Sequence, residues 1–150
     1  MRDLTTPEQI RIRDELVKFS QTPKQATAGI LANFRCEYCQ LVFLDPQHPD
    51  NVFQWVGWDH LVPRCAGGSD EIDNLVCCCR VCNWVKRRFD PRKKFATRPN
   101  PPSRDELIDE AREHIKEKKL RYERDVTSRW RQIVGRQKAG GDQLNSARSG

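Results

Sequence analysis

Four cysteines form two pairs with identical spacing, a pattern typical of a metal site. Cys36 and Cys39 make one CxxC pair, and Cys79 and Cys82 make the other. A CxxC turn directs two sulfur atoms to the same side of the backbone, and Zn²⁺ prefers four thiolates in a tetrahedron. The two pairs therefore predict a closed structural zinc site that joins two distant parts of the chain.

The start of the chain decides how its cysteines are interpreted. Residues 1–16 are charged from the second position and contain no apolar run, so neither a secretory signal nor a membrane span is predicted. We therefore expect a cytoplasmic protein in a reducing compartment, where metal binding is favoured over disulfides. Cys65, Cys77 and Cys78 lack the paired spacing and are expected to be small buried apolar residues, although the run of three cysteines leaves the ligand register open in principle.

A second group of polar residues lies between and within the cysteine pairs. A neutral imidazole such as that of His60 can take a proton from water near neutral pH, and the side chains of Asp59 and Asn83 offer oxygen ligands that suit Mg²⁺ or Mn²⁺. Hydrolysis of a phosphodiester needs both a base that activates water and a metal ion that stabilises the added negative charge. Because Asp59 and His60 are adjacent, they would face opposite sides of a regular strand, so a shared site requires a strand end or a bulge there.

The segment WDHLVPRCAGGSDEIDNLVCCCRVCNWVK resembles the motif of the HNH endonucleases. The matching positions are, in order, Asp59 and His60, Pro63, Gly67 and Gly68, Asn74 and Leu75, and then Cys79, Cys82, Asn83 and Lys86. The resemblance covers roughly residues 30–88. The last motif position is often histidine in that family, and here it is Asn83, as in HNN variants.

This resemblance implies a fold, an activity and a set of roles. The fold would be a ββα-metal (His-Me finger) core around one catalytic divalent ion, Mg²⁺ or Mn²⁺, in addition to the structural Zn²⁺. By resemblance His60 is the general base, Asp59 and Asn83 bind the catalytic ion, and Asn74 orients the loop or the histidine. The implied activity is metal-dependent endonucleolytic hydrolysis of DNA, which is expected to be double-stranded, while the residues leave RNA or a single strand open as substrates.

Basic residues predict how DNA would be held. The chain has 27 Lys and Arg against 21 Asp and Glu, a net charge of +6 that favours polyanionic partners. Lys86 and Arg87 follow Asn83 by three and four positions, on the side where a phosphate of duplex DNA would arrive. Arg64, Arg80 and Arg88 are predicted to extend these contacts. The tryptophans are assigned to packing rather than to base stacking, namely Trp55, Trp58 and Trp84.

Two other functions fit the same sequence. The first is a non-catalytic zinc-stabilised module that binds nucleic acid or protein, in which His60 is incidental. The second is a nuclease effector that docks onto a partner protein through a long helix over residues 104–134. The same helix could instead fold back on the nuclease or form a homodimer, and the sequence does not choose among these arrangements. The joint presence of Asp59, His60, Asn74 and Asn83 favours the nuclease over the first alternative.

Local patterns predict an α+β chain with one modest core, since only 37% of its residues are hydrophobic. A helix is expected over 7–19, begun by Thr6, Pro7 and Gln9, and a capping box of Ser103 and Glu106 is expected to begin the long helix. An irregular stretch is expected over 20–29, a hairpin from 41–44 and 52–58, and a helix over 77–89. An N-terminal helix and a long C-terminal helix thus flank the core. The predicted divisions are an N-terminal extension (1–29), a nuclease core (30–90), a Pro-rich basic linker (91–102), a charged amphipathic helix (103–134) and a disordered tail (135–150).

Overall fold

The computed structural model describes residues 4–18, 21–45, 47 and 56–146. It combines helices with a two-stranded antiparallel sheet, which is consistent with the predicted α+β class. The chain forms two compact units, Met1–Ile115 and Lys116–Gly150. Within the described part of the chain, no helix has the length and apolar character needed to cross a membrane.

Two short helices open the first unit. Helix α1 spans Pro7–Lys18, and its predicted start is confirmed, since Thr6 and Gln9 bond each other's backbone N–H. Helix α2 spans Pro23–Leu31, where an irregular stretch had been expected. The same Thr-Pro-x-Gln signature begins it, and Thr22 forms the matching capping box. The repeated signature was therefore the signal for α2.

The sheet pairs two strands that are separated by a long loop. Strand β1 spans Val56–His60 and strand β2 spans Leu75–Cys79, with His60 opposite Leu75. The expected hairpin partner of β1 was the segment 41–44, but Val42 instead forms a single bridge with Arg35, and residues 51–55 lie outside the described part. The sequence LVCCC is buried at every position, so β2 is covered on both of its faces.

Helix α3 follows β2 directly and spans Arg80–Lys86. A helix had been expected from residue 77, but Cys77–Cys79 belong to β2. Cys79 caps the helix, since its Sγ accepts a hydrogen bond from the backbone N–H of Cys82 at 3.3 Å. Arg87 ends the helix with a left-handed φ of 51°. Strand, strand and helix thus follow one another in sequence.

The loop between the strands makes one backbone approach that only glycine permits. Gly68 donates its backbone N–H to Pro63, and a Cβ atom added to Gly68 would lie 1.8 Å from the backbone oxygen of Val62. The neighbouring Gly67 has a φ of 81° but faces open space. The two glycines of the GG pair therefore serve different purposes, close packing at Gly68 and a left-handed turn at Gly67.

We expect Gly68→Ala to lower the free energy of unfolding by about 1–3 kcal/mol, because the new methyl group must displace backbone atoms of the loop. The matched control is Gly67→Asn, since asparagine tolerates a left-handed turn and meets no neighbour there. Urea unfolding followed by circular dichroism measures both. A Gly68→Ala protein as stable as the Gly67→Asn protein would contradict the close approach.

Helix α4 spans Arg104–Ser146 and begins with the predicted capping box of Ser103 and Glu106. Its first part belongs to the first unit, where Ile108, Ala111 and Ile115 are buried in the core. The core unit thus extends to Ile115, beyond the expected boundary at residue 90. The expected linker also contains structure, since a 3-10 helix covers Pro91–Phe95 and Pro91 is fully buried.

In the second unit, α4 continues past residue 134, where a disordered tail was expected. Several large apolar side chains of this unit are exposed, namely Leu120, Tyr122, Trp130, Ile133 and Val134. The amphipathic stripe is therefore buried in the first unit and open in the second.

Candidate metal centre and active site

The four cysteines of the two CxxC pairs come together in the first unit. The sulfur atoms of Cys36, Cys39, Cys79 and Cys82 all lie within 4.8 Å of one another, and those of Cys39 and Cys79 are 3.8 Å apart. A tetrahedral Zn²⁺ with bonds of about 2.3 Å separates its ligand sulfurs by about 3.8 Å. Both the donor set and the spacing therefore fit a structural ion such as Zn²⁺.

Each pair is shaped by the same local hydrogen bond. The backbone N–H of Cys39 donates to Sγ of Cys36 at 3.4 Å, as Cys82 donates to Cys79. The clustered thiols also perturb one another. Hydrogen bonding to Cys36 lowers the pKa of Cys79 to about 7 and lowers the pKa of Cys39 as well. Hydrogen bonding to Cys39 raises the pKa of Cys36, and hydrogen bonding to Cys36 raises the pKa of Cys82.

Glu37 anchors the first pair to the core, a role that no sequence signal indicated. Its backbone N–H donates to the carbonyl of Cys77, and its carboxylate accepts from the N–H of Cys77 at 2.9 Å. The other carboxylate oxygen lies 2.8 Å from the guanidinium of Arg104. Arg112 donates to the backbone oxygen of Glu37. The start of α4 is therefore tied to the cysteine cluster through one acidic residue.

The remaining cysteines divide into two groups. Cys77 and Cys78 are buried, as expected, and burial raises the pKa of Cys78. Cys65 is exposed, so the expectation that it packs in the core is wrong. It lies in the 3-10 turn Arg64–Ala66 of the loop, where no apolar layer covers it.

His60 is the last residue of β1, and its side chain is 23% exposed. Its Nε2 lies 2.8 Å from Oδ1 of Asp70, and the same oxygen accepts a hydrogen bond from Nε of Arg64 at 2.7 Å. Hydrogen bonds from Arg64 first, and from His60 second, lower the pKa of Asp70. Sequence reasoning missed Asp70, because ten residues of irregular loop separate it from His60 and no periodicity relates them.

Asp59 is buried and has its own partners. Its Oδ2 accepts a hydrogen bond from the hydroxyl of Tyr38 at 2.8 Å and forms an ion pair with Nζ of Lys86 at 2.9 Å. The strand is regular here, with Asp59 opposite Val76, so there is no bulge. Of the two conditions expected for a shared site, the one met is the strand end, since His60 is the last residue of β1. Burial and the charge of Asp59 raise the pKa of Tyr38.

The predicted contact of Lys86 with DNA is contradicted by the burial of its side chain. Its side chain is 0% exposed, and besides Asp59 it donates to the backbone oxygen of His60 at 2.8 Å. A buried, paired ammonium group does not face a phosphate in solvent. Lys86 instead holds α3 against the end of β1, since helix periodicity turns it inward on the same side as Cys82.

We expect Lys86→Met to lower the free energy of unfolding by about 3–5 kcal/mol, because it leaves the buried carboxylate of Asp59 without a counter-charge. Arg87→Met is the matched control, since that neighbouring side chain is exposed and should cost less than about 0.5 kcal/mol. Urea unfolding at a fixed zinc concentration measures the difference. Equal stability of the two variants would show that the ion pair does not support the fold.

The two asparagines of the motif bind backbone rather than side chains. Asn74 accepts from the N–H of Val62 at 2.8 Å and donates to the carbonyl oxygens of Val62 and Ser69. The resemblance implied that Asn74 orients either the loop or the histidine, and these contacts fit the first of these roles. Asn83 donates through Nδ2 to the carbonyl oxygen of Trp58 at 3.0 Å, which fixes α3 beside the residue that precedes Asp59.

The other predicted nucleic-acid contacts lie at the surface. Arg80 and Arg87 are exposed on α3, and Arg64 is exposed but bonded to Asp70. Trp58 packs against the core as expected, and Trp55 lies outside the described residues. Trp84 is 54% exposed, so its assignment to packing is wrong.

Among the described residues, three or more side chains of His, Cys, Asp or Glu come within metal-binding reach only at the cysteine cluster. The pair Asp59 and Asn83 therefore offers at most one carboxylate and one amide to a second ion. In comparisons with known proteins, no family model, no curated protein and no solved structure matches this chain.

Proposed function

We propose that this protein is a metal-dependent endonuclease that hydrolyses DNA phosphodiester bonds from a ββα-metal core formed by β1, β2 and α3. The observation that carries the proposal is the state of His60. Its ring is partly exposed at a strand end, Nε2 is held by Asp70, and Nδ1 has no hydrogen-bond partner among the described residues. A histidine held at one nitrogen and open at the other is suited to proton transfer.

Asp70 would set the tautomer of His60. A carboxylate accepts hydrogen bonds, so it favours the neutral imidazole that carries its proton on Nε2. The lone pair of Nδ1 is then available to take a proton from a water molecule that attacks phosphorus. Arg64, on the far side of Asp70, keeps that carboxylate ionised and in place.

The proposed divalent ion would be held by Asp59 and Asn83. Oδ2 of Asp59 is occupied by Tyr38 and Lys86, but its Oδ1 bonds no described residue. Toward the described residues Asn83 uses only its amide nitrogen. One carboxylate oxygen and one amide oxygen suit Mg²⁺ or Mn²⁺, since Mg²⁺ in particular usually keeps several water ligands. When bound, such an ion would polarise the scissile phosphate and stabilise the departing oxygen.

A second function has one specific observation in its favour. Lys86 already neutralises the charge of Asp59, and a divalent ion would have to bind beside that ammonium group. This arrangement favours a non-catalytic, zinc-stabilised module that binds nucleic acid through Arg80 and Arg87. Cleavage of DNA distinguishes the two functions, because only the endonuclease would cut it.

The test is conversion of supercoiled plasmid to nicked and linear forms by the purified protein. Reactions contain Mg²⁺ or Mn²⁺ or no added divalent ion, and Zn²⁺ content is measured in each protein sample. Cleavage that requires the added ion supports the endonuclease. A zinc-loaded, folded protein that cuts in no metal, yet shifts the same DNA in a binding assay, supports the binding module.

A further inference from the structure

The outward side of α3 is an exposed surface that combines an aromatic ring with positive charge. We define the α3 outer face as Arg80, Val81, Trp84 and Arg87. Val81 is 41% exposed and Trp84 is 54% exposed, although the opposite side of the same short helix carries the buried Cys82 and Lys86. Val81 and Trp84 therefore add apolar and aromatic surface to a solvent-exposed side of α3, and an exposed apolar patch beside polar groups is typical of a binding surface.

The charges on this face indicate the chemistry of that molecule. Arg80, Arg87 and the next residue, Arg88, are exposed and form no ion pair with any described residue. The segment 80–89 contains no acidic residue, and the only other cation in it, Lys86, is buried against Asp59. The face is therefore positive without local compensation, which favours a polyanion.

The aromatic ring of Trp84 favours a nucleic acid over other polyanions. The guanidinium of Arg87 lies over the indole of Trp84, 5.8 Å from the ring centroid, so cation and ring form a cation–π pair. Nucleic-acid strands present phosphates and flat bases in alternation, and aromatic rings beside arginines are how proteins bind unpaired bases. A base inside a regular duplex has both faces covered by its neighbours.

The position of the face relates it to the proposed active site. Residues of a helix are spaced by about 100° around its axis, so Arg80 lies between Asn83 and Trp84 around the circumference of α3. A strand whose phosphate reached Asn83 would pass Arg80 and bring its next base toward Trp84. This step rests on the proposed function, because it takes Asn83 as part of the catalytic site.

We infer that Trp84 stacks on an unpaired base, with Arg80 and Arg87 on the flanking phosphates, and that the preferred nucleic acid is therefore single-stranded DNA rather than continuous duplex. Stacking discriminates between the two forms because only an unpaired base exposes its face. The arginines contribute to both forms, since both carry phosphates.

The test is a binding measurement that does not require cleavage. Fluorescence anisotropy is recorded with a labelled 20-nucleotide oligothymidine and with a duplex of equal length, in buffer without added Mg²⁺ or Mn²⁺. We expect Trp84→Ala to weaken binding of the single strand about tenfold and binding of the duplex by less than about twofold. Trp84→Phe keeps a stacking ring and should stay within about threefold of the parent protein.

Two further variants make the result specific. Trp130→Ala removes another exposed tryptophan, 64% exposed in the second unit, and should leave both affinities unchanged. Arg87→Ala should weaken both nucleic acids and reduce the salt dependence of binding. The inference is overturned if the parent protein does not bind the single strand, if Trp84→Ala leaves that affinity unchanged, or if it weakens both forms equally. Failure of cleavage alone would contradict the proposed nuclease and leave this result standing.

Discussion

Cys79→Ser is expected to abolish stoichiometric zinc binding and to unfold the first unit. Cys79 belongs to the four-sulfur cluster, ends β2 and caps α3. The metal centre, the strand and the helix therefore meet at this one residue. Structural zinc sites contribute an apparent binding free energy of about 10–16 kcal/mol, which is as large as the total stability of most domains, about 5–15 kcal/mol. A hydroxyl group is a poor replacement for a thiolate ligand.

Mass spectrometry of metal content and near-ultraviolet circular dichroism measure the effect. The parent protein should hold one zinc ion and lose its tertiary signal when a strong chelator is added, whereas Cys79→Ser should show neither zinc nor that signal. Cys65→Ser is the matched control, since Cys65 is exposed and lies outside the cluster. A Cys79→Ser protein that retains one zinc ion and the parent melting temperature would contradict the metal centre.

His60→Ala is expected to reduce cleavage of supercoiled DNA by about 10²–10⁴-fold in either Mg²⁺ or Mn²⁺, the typical contribution of a general base. The fold should survive the change. Among the described residues, the ring of His60 bonds only Asp70, which is exposed, and the contact with Lys86 uses the backbone oxygen that alanine retains. The melting temperature should therefore stay close to that of the parent protein.

Single-turnover nicking rates, measured with enzyme in excess of plasmid, separate loss of chemistry from loss of binding. His114→Ala is a suitable control, because the ring of His114 stacks on Phe89 and lies outside the proposed site. His60→Ala protein that cuts at the parent rate would assign the activity to another group or to a contaminant. Loss of cutting together with loss of DNA binding would point to a structural role for His60.

The features that could be predicted from the sequence are those that depend on residues only a few positions apart. The two CxxC pairs predicted that four sulfurs would meet, and the cluster confirms it, because a knuckle and a helix cap are local geometries. The start of α1 and the capping box at Ser103 were predicted for the same reason. The signal for α2 was also local, and it was missed although its Thr-Pro-x-Gln pattern repeats that of α1.

Contacts between residues that are distant in sequence could be determined only from the tertiary structure. Tyr38 and Lys86 reach Asp59 from the first cysteine pair and from α3, and the pairing of β1 with β2 determines that they meet there. Lys86 was predicted at the surface because the helix pattern alone does not say which side of α3 packs on the sheet. Asp70 reaches His60 through an irregular loop whose path depends on Gly68 and Asn74.

The same distinction separates the metal centre from the proposed chemistry. Residue types and spacing predicted which side chains could bind metal or move a proton, since those properties belong to the side chains themselves. Whether each group is exposed, neutralised or held depends on what the folded chain places around it. Asp59 and His60 are adjacent in sequence, yet the regular pleat of β1 directs one into the core and the other toward solvent.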